Sequence, residues 1–170
     1  LHCSKVCCIT AVKQAIEVKQ KLPDAEVFCF YMDLRMFGRH YEELYKEAQE
    51  KYNIQFIRGR LSESTEDQEG NVVVKVEDTL LGKPLRIKTS LLVLMAGMEP
   101  RANTRSLARR MGLKTVSDGF IQPVDEILHS NYTEIPGLFV AGTCSGPKSV
   151  ADTLADARSA AFAVADFLKK

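Results

Sequence analysis

No G-x-G-x-x-G follows a strand-like run in this chain, and no G-x-x-x-x-G-K-S/T occurs. The usual glycine loops for dinucleotide and nucleotide phosphates are therefore absent. Basic residues are not in excess: 23 Lys and Arg stand against 22 Asp and Glu, a net charge of +1, which argues against a nucleic-acid surface. No apolar run approaches the about 20 residues of a membrane span. No G-x-S-x-G or similar nucleophile signature appears, and there are no repeats or low-complexity tracts. The histidines, His2, His40 and His129, are scattered and read as surface residues. Five cysteines, an odd count with Cys7 and Cys8 adjacent, do not make a secreted disulfide framework; a reducing cytoplasm is the expectation. At 170 residues the chain holds one sizeable domain or two small ones.

What is present begins with Cys3-Ser4-Lys5-Val6-Cys7-Cys8, followed directly by a helical pattern over residues 9–22 that stops before Pro23. Thiolates suit a soft metal centre, and a helix N-terminus favours their negative charge. Three such ligands are present, whereas a cubane cluster or a closed zinc site takes four. Cys29, inside Val27-Phe28-Cys29-Phe30, reads as a small buried hydrophobe.

Residues 25–32 form a mostly apolar run of strand length, a second helix is expected over 41–52, and the next strand over 54–58. The alternation of helix and strand predicts an open α/β sheet. Residues 62–70 read as an acidic solvated loop. Residues 72–77 and 85–88 alternate apolar and polar around Gly82-Lys83-Pro84, predicting an antiparallel β-meander. Leu91 to Met95 reads as a buried strand, 104–111 as a short helix capped by Gly112, and Gly137 to Ala141 as the last strand. An Ala-rich helix from about Ser149 to Leu168 closes the chain.

Between that last strand and helix lies Gly142-Thr143-Cys144-Ser145-Gly146-Pro147-Lys148. Two readings of it stand: a turn whose backbone amides face a cofactor, or a tight strand–helix connection. Lys13 is either a solvated face residue or one reaching a group docked at the helix start.

Together these residues resemble the heterodisulfide reductase A-subunit family, flavin and iron–sulfur proteins with a thioredoxin-reductase-like core. The resemblance is carried by the cysteine run, Phe30-Tyr31-Met32-Asp33-Leu34-Arg35 with Phe37-Gly38, Arg58-Gly59-Arg60, Leu92-Val93-Leu94-Met95-Ala96-Gly97-Met98-Glu99-Pro100 and the stretch Gly137 to Lys148. It implies an α/β fold of FAD/NAD(P)-binding type, incomplete, with an open mainly parallel sheet and an antiparallel meander. Residues 1–97 would be a nicotinamide-domain-like module carrying the cysteine motif, and 98–170 the closing segment of the FAD domain. Cys3, Cys7 and Cys8 would be three ligands of a 4Fe–4S cluster, with the fourth upstream of Leu1. Lys13, Gly142, Thr143, Gly146, Pro147 and Lys148 would lie by FAD; Thr143 stands where many relatives of the fold place an Asp. The N-terminal FAD-binding glycine loop and the ferredoxin-type C-x-x-C-x-x-C runs are missing, so a middle piece of a longer subunit is expected. Both cofactors are assigned to that full-length subunit, and the chain by itself is expected to hold no FAD.

The function so implied is electron transfer in a heterodisulfide-reductase-like oxidoreductase. Its expected partners are other subunits and ferredoxin-like or disulfide-reducing proteins. The alternatives are a zinc-binding structural module, or a fragment of an ordinary NAD(P)H-dependent flavin disulfide reductase.

Overall fold

The structure is a computed structural model that describes residues 2–169. It divides into two compact units: residues 7–96, and residues 2–6 together with 97–169.

In the unit of residues 7–96, α1 (Cys7–Lys21) buries Val12, Ala15 and Ile16, a spacing of three and four that makes one apolar stripe. The helix starts at Cys7, two residues earlier than the sequence pattern indicates, so Cys7 and Cys8 sit inside its first turn. Beyond its end, Lys19 Nζ donates to the Ala25 carbonyl at 2.8 Å, holding the reversal into β1 (Phe28–Tyr31). The helix α2 (Tyr41–Glu50) then crosses to β2 (Gln55–Arg58), which pairs with β1 in parallel. Cys29 and Phe56 are register partners and share one face. Both pack with the α1 stripe and with Leu44 and Ala48 of α2, so both helices cover that same face.

The meander follows as β3 (Leu61–Glu66), β4 (Val72–Asp78) and β5 (Lys83–Thr89), antiparallel in that order. The expected solvated loop over 62–70 is therefore a strand in its first half. Nearly every side chain of β3 faces solvent, which hides its period of two, and the backbone ladder to β4 holds it. The loop proper is the turn around Asp67, whose Oδ1 accepts from the amides of Glu69 and Asn71, both at 2.9 Å. Lys83 and Pro84, expected in a turn, already belong to β5; Pro84 is tolerated because β5 is an edge strand.

A glycine is required where the meander meets β2. A Cβ on Gly59 would overlap the Glu77 carbonyl oxygen, and Thr79 N–H donates to Arg58 O at 2.8 Å beside it. Leu91 to Met95, expected as a buried strand, is not one. Among the described residues it pairs with no strand, and Leu91, Val93 and Leu94 are 75%, 59% and 78% exposed. An apolar run becomes a strand only where a neighbour completes its ladder, and here none does.

In the unit of residues 2–6 and 97–169, α3 (Thr104–Met111) ends at Gly112, whose φ of +71° and amide bonds to Ala108 and Arg109 carbonyls make the expected cap. The expected strand Gly137 to Ala141 reduces to a single bridge, Tyr132 to Phe139, for want of a longer partner. Buried Val140 packs with Ala108 and Ile121 in a small core that Leu113 and Cys144 flank. A 3-10 turn (Gly142–Ser145) leads to α4 (Val150–Phe167).

Two outcomes test this fold. Gly59→Ala forces a methyl into the Glu77 carbonyl, so it should cost about 3 kcal/mol or more, read from the urea midpoint. A smaller loss would mean the strands separate easily. Asp67 is held down to a pKa of about 2 by the Lys88 ammonium first and then the Asn71 amide. The unfolded value is about 3.9, so its contribution is complete above about pH 4 and is lost as the pH falls through about 2. Asp67→Asn should flatten the stability profile in that window relative to the parent chain, measured by urea unfolding at each pH.

Candidate functional site

The Gly142–Lys148 turn is organised by a carboxylate fourteen residues beyond its start. Asp156 Oδ2 accepts from Gly142 N–H at 2.6 Å, and Oδ1 accepts from the buried Asn131 amide at 2.8 Å. Lys148 Nζ stands 3.5 Å from Oδ2 and donates to Gly142 O at 2.9 Å and Ser145 Oγ at 2.7 Å. Lys148 is thus folded back onto its own turn, with its ammonium neutralising Asp156. Gly142 takes φ +77°, a left-handed position that suits glycine. A Cβ on Gly146 would meet no atom within 4 Å, so its outer side is open.

Directly after the turn, Ser149 caps α4. Its Oγ accepts from Asp152 N–H at 3.1 Å, and Asp152 Oδ2 accepts from Ser149 N–H at 3.2 Å. The nearby Ser149 hydroxyl first, and then the Ser149 backbone N–H, hold the Asp152 carboxyl below the usual carboxylate range. The turn and the first turns of α4 border a cleft of about 590 Å³, whose charged rim includes Lys5, Asp118, Glu126 and Asp152. That size suits a small organic ligand.

Cys3 lies on a segment pinned from both sides. His2 Nε2–H donates to Met98 O at 2.7 Å, and its ring meets Phe120 edge-on at 5.4 Å. The buried Ser4 Oγ accepts from Met98 N–H at 2.8 Å. Both sides of Cys3 therefore hold the same residue. A Cβ on Gly97 would come within 2.7 Å of Ser4 Oγ, which explains glycine in Ala96-Gly97-Met98. Lys5, at φ +61°, turns its N–H toward Cys3 Sγ at 3.3 Å. Cys144 packs beside the small core and lies 3.2 Å from Ala141 O.

In the unit of residues 7–96, Cys7 and Cys8 open α1. Cys8 Sγ accepts from Arg35 N–H at 3.5 Å. The same sulfur lies 3.8 Å from the Asp33 carbonyl oxygen, to which its S–H donates. Lys13 is exposed on α1 beside buried Val12. Cys29 differs: burial pushes its thiol up to about 11, so it is a protonated core residue at neutral pH. Among the described residues, no group of three or more His, Cys, Asp or Glu side chains is arranged to hold a metal ion. Cys3 belongs to one unit and Cys7 and Cys8 to the other; Lys13 and the Gly142–Lys148 turn are likewise divided.

Sequence reasoning did not single out Asp156, Asn131, His2 or Ser4 as site residues. Their partners lie up to 96 residues away, and only Gly97, in a motif already noted, hinted at a close approach.

Residues 12–161 match the pyridine nucleotide-disulphide oxidoreductase family. The chain is 44% identical over 164 residues to the iron-sulfur A-subunit of the CoB–CoM heterodisulfide reductase of Methanocaldococcus jannaschii, covering 96% of this chain and 25% of that protein. It is also 44% identical over 165 residues to the A-subunit of the H2/formate:CoB-CoM heterodisulfide,ferredoxin reductase of Methanococcus maripaludis, again over 96% of this chain and 25% of that protein. The chain thus spans about a quarter of the length of the curated relatives it matches. Among solved structures, the thioredoxin reductase of T. acidophilum superposes with a TM-score of 0.66 at 23% identity, covering 96% of this chain and 49% of that one. That likeness gives the fold, an α/β architecture of thioredoxin-reductase type. With 150 of its residues matched end to end, the chain belongs to the pyridine nucleotide-disulphide oxidoreductase family.

Proposed function

We propose that this chain is part of a flavin and iron–sulfur electron-transfer subunit of heterodisulfide-reductase type. The carrying observation is the 44% identity, along nearly the whole chain, to proteins named as the A-subunits of such reductases. Residues 1–97 act as a nicotinamide-domain-like module and 98–170 as the closing part of an FAD domain. The soluble complex is cytoplasmic, and its other members are further subunits and ferredoxin-like or disulfide-reducing partners. FAD and a 4Fe–4S cluster, when bound, supply the redox chemistry.

The chain's own residues have distinct tasks in this reading. Gly142, Thr143, Gly146 and Pro147 present backbone to the flavin, while Lys148 keeps that turn in shape through Asp156. Lys13 is a flavin neighbour. Cys3, Cys7 and Cys8 give three thiolates, donors that suit iron–sulfur chemistry. Among the described residues no group of these side chains is arranged to hold a metal ion, and in this reading a fourth ligand from the rest of the subunit completes the set. Cys29, with its high pKa, supplies no thiolate.

In the full-length subunit, Cys7→Ser should lower the iron content and bleach the visible absorption, whereas Cys29→Ala should leave both unchanged. Stoichiometric zinc in a colourless protein, or the reverse pattern of iron loss, would refute the assignment. Lys148→Met removes the cation beside a mostly buried carboxylate and should cost about 1–3 kcal/mol of stability. The same change in the full-length subunit should speed FAD release, followed by flavin fluorescence. Unchanged release together with unchanged stability would reduce Lys148 to a surface residue.

A further inference from the structure

The run from Pro100 to Ser117 holds five cations and no anion, in a chain whose net charge is only +1. Four of the five are arginines: Arg101 just before α3, and Arg105, Arg109 and Arg110 on it. All four are exposed, and no carboxylate among the described residues pairs with any of them. Elsewhere pairing is common: Lys51, Lys75, Lys88 and Lys114 each meet a carboxylate. A Cβ on Gly119 would come within 2.8 Å of Arg105 Nε, so the glycine leaves room for that side chain. The neighbouring Asp118 faces His2, at 3.5 Å, instead.

Stability does not explain the cluster. Arg105 and Arg109 are four apart on a helix, where like charges repel. Arg105 also stands in the first turn, against the helix dipole; only Arg109 and Arg110, in the last turn, suit it. Local rules broken without a local gain point to function. Helical geometry puts Arg105, Arg109 and Arg110 within an arc of about 140° on the side away from buried Ala108. Leu107 and Met111, 49% and 41% exposed, run along one border of that arc. Arginine and methionine are enriched at protein interfaces.

The charge says what docks there. A guanidinium fork takes a carboxylate through two hydrogen bonds. A nucleic acid fits less well, because α3 carries no aromatic side chain on which a base could stack. We propose that the outer face of α3, with Arg101, docks a protein partner whose contact surface is rich in carboxylates. The arginines steer the encounter, and Leu107 and Met111 pack at its border. The inference goes beyond the electron-transfer reading and does not depend on which cofactors the subunit holds.

In the test, the full-length subunit is titrated into a fluorescein-labelled helical peptide with glutamates four residues apart. Anisotropy is read at about 0.01 M and about 0.15 M ionic strength. Arg105→Gln, Arg109→Gln and Arg110→Gln together, which keep a good helix former, should weaken binding by roughly tenfold or more and flatten its salt dependence. Lys46→Gln, Lys51→Gln and Lys83→Gln together remove the same charge from the other unit and should leave binding unchanged. Arg105→Glu with Arg109→Glu should lose the glutamate peptide and gain its lysine counterpart, which a merely unfolded helix would not do. Equal weakening by the lysine variants would reduce the binding to net charge and overturn the proposal. So would failure of the parent subunit to bind the peptide, or tighter binding of a thymidine oligonucleotide or of phosphatidylserine vesicles through the same arginines.

Discussion

The Asp156 carboxylate ties together three separate parts of the second unit. It fixes the amide that starts the Gly142–Lys148 turn, the buried Asn131 side chain and the Lys148 ammonium. Asn131 in turn donates to Val140 O at 3.0 Å, so the carboxylate also reaches the segment that enters the turn. A buried polar network of this kind is stable only when every member is satisfied. Among the described residues no buried side-chain nitrogen or oxygen lacks a partner. The open outer side of Gly146 is thus backed by a stiff inner one.

The same concern for backbone partners decides which segments become strands. The polar β3 is a strand because β4 stands beside it, and the far more apolar Leu91 to Met95 is not, because among the described residues no strand pairs with it. Composition reports whether a segment could be buried; only the three-dimensional neighbour supplies the ladder. The helices were more legible. Val12, Ala15 and Ile16 announce α1 by spacing, Gly112 announces the end of α3, and Ser149 with Asp152 starts α4. Those signals are local, contained within one or two turns.

Site residues divide along the same line. The cysteine run and the glycine turn were visible because their members are adjacent in sequence. The grip of His2 and Ser4 on Met98, and of Asp156 on Gly142, joins residues far apart, and one sequence gives no means of pairing them. What single positions do offer is steric evidence. Gly59 and Gly97 stand where any larger side chain would meet a neighbour, so each marks a close crossing without saying with what.

The burial of Cys29 also gives the protein a chemical division of labour. Attack on oxidants, electrophiles and soft metals needs the thiolate, and at a pKa of about 11 only a minute fraction of Cys29 is in that form at neutral pH. Packing against the cluster of α1 and α2 therefore favours the protonated thiol. The sulfur in the middle of β1 is thereby a space-filling group and a poor nucleophile at neutral pH.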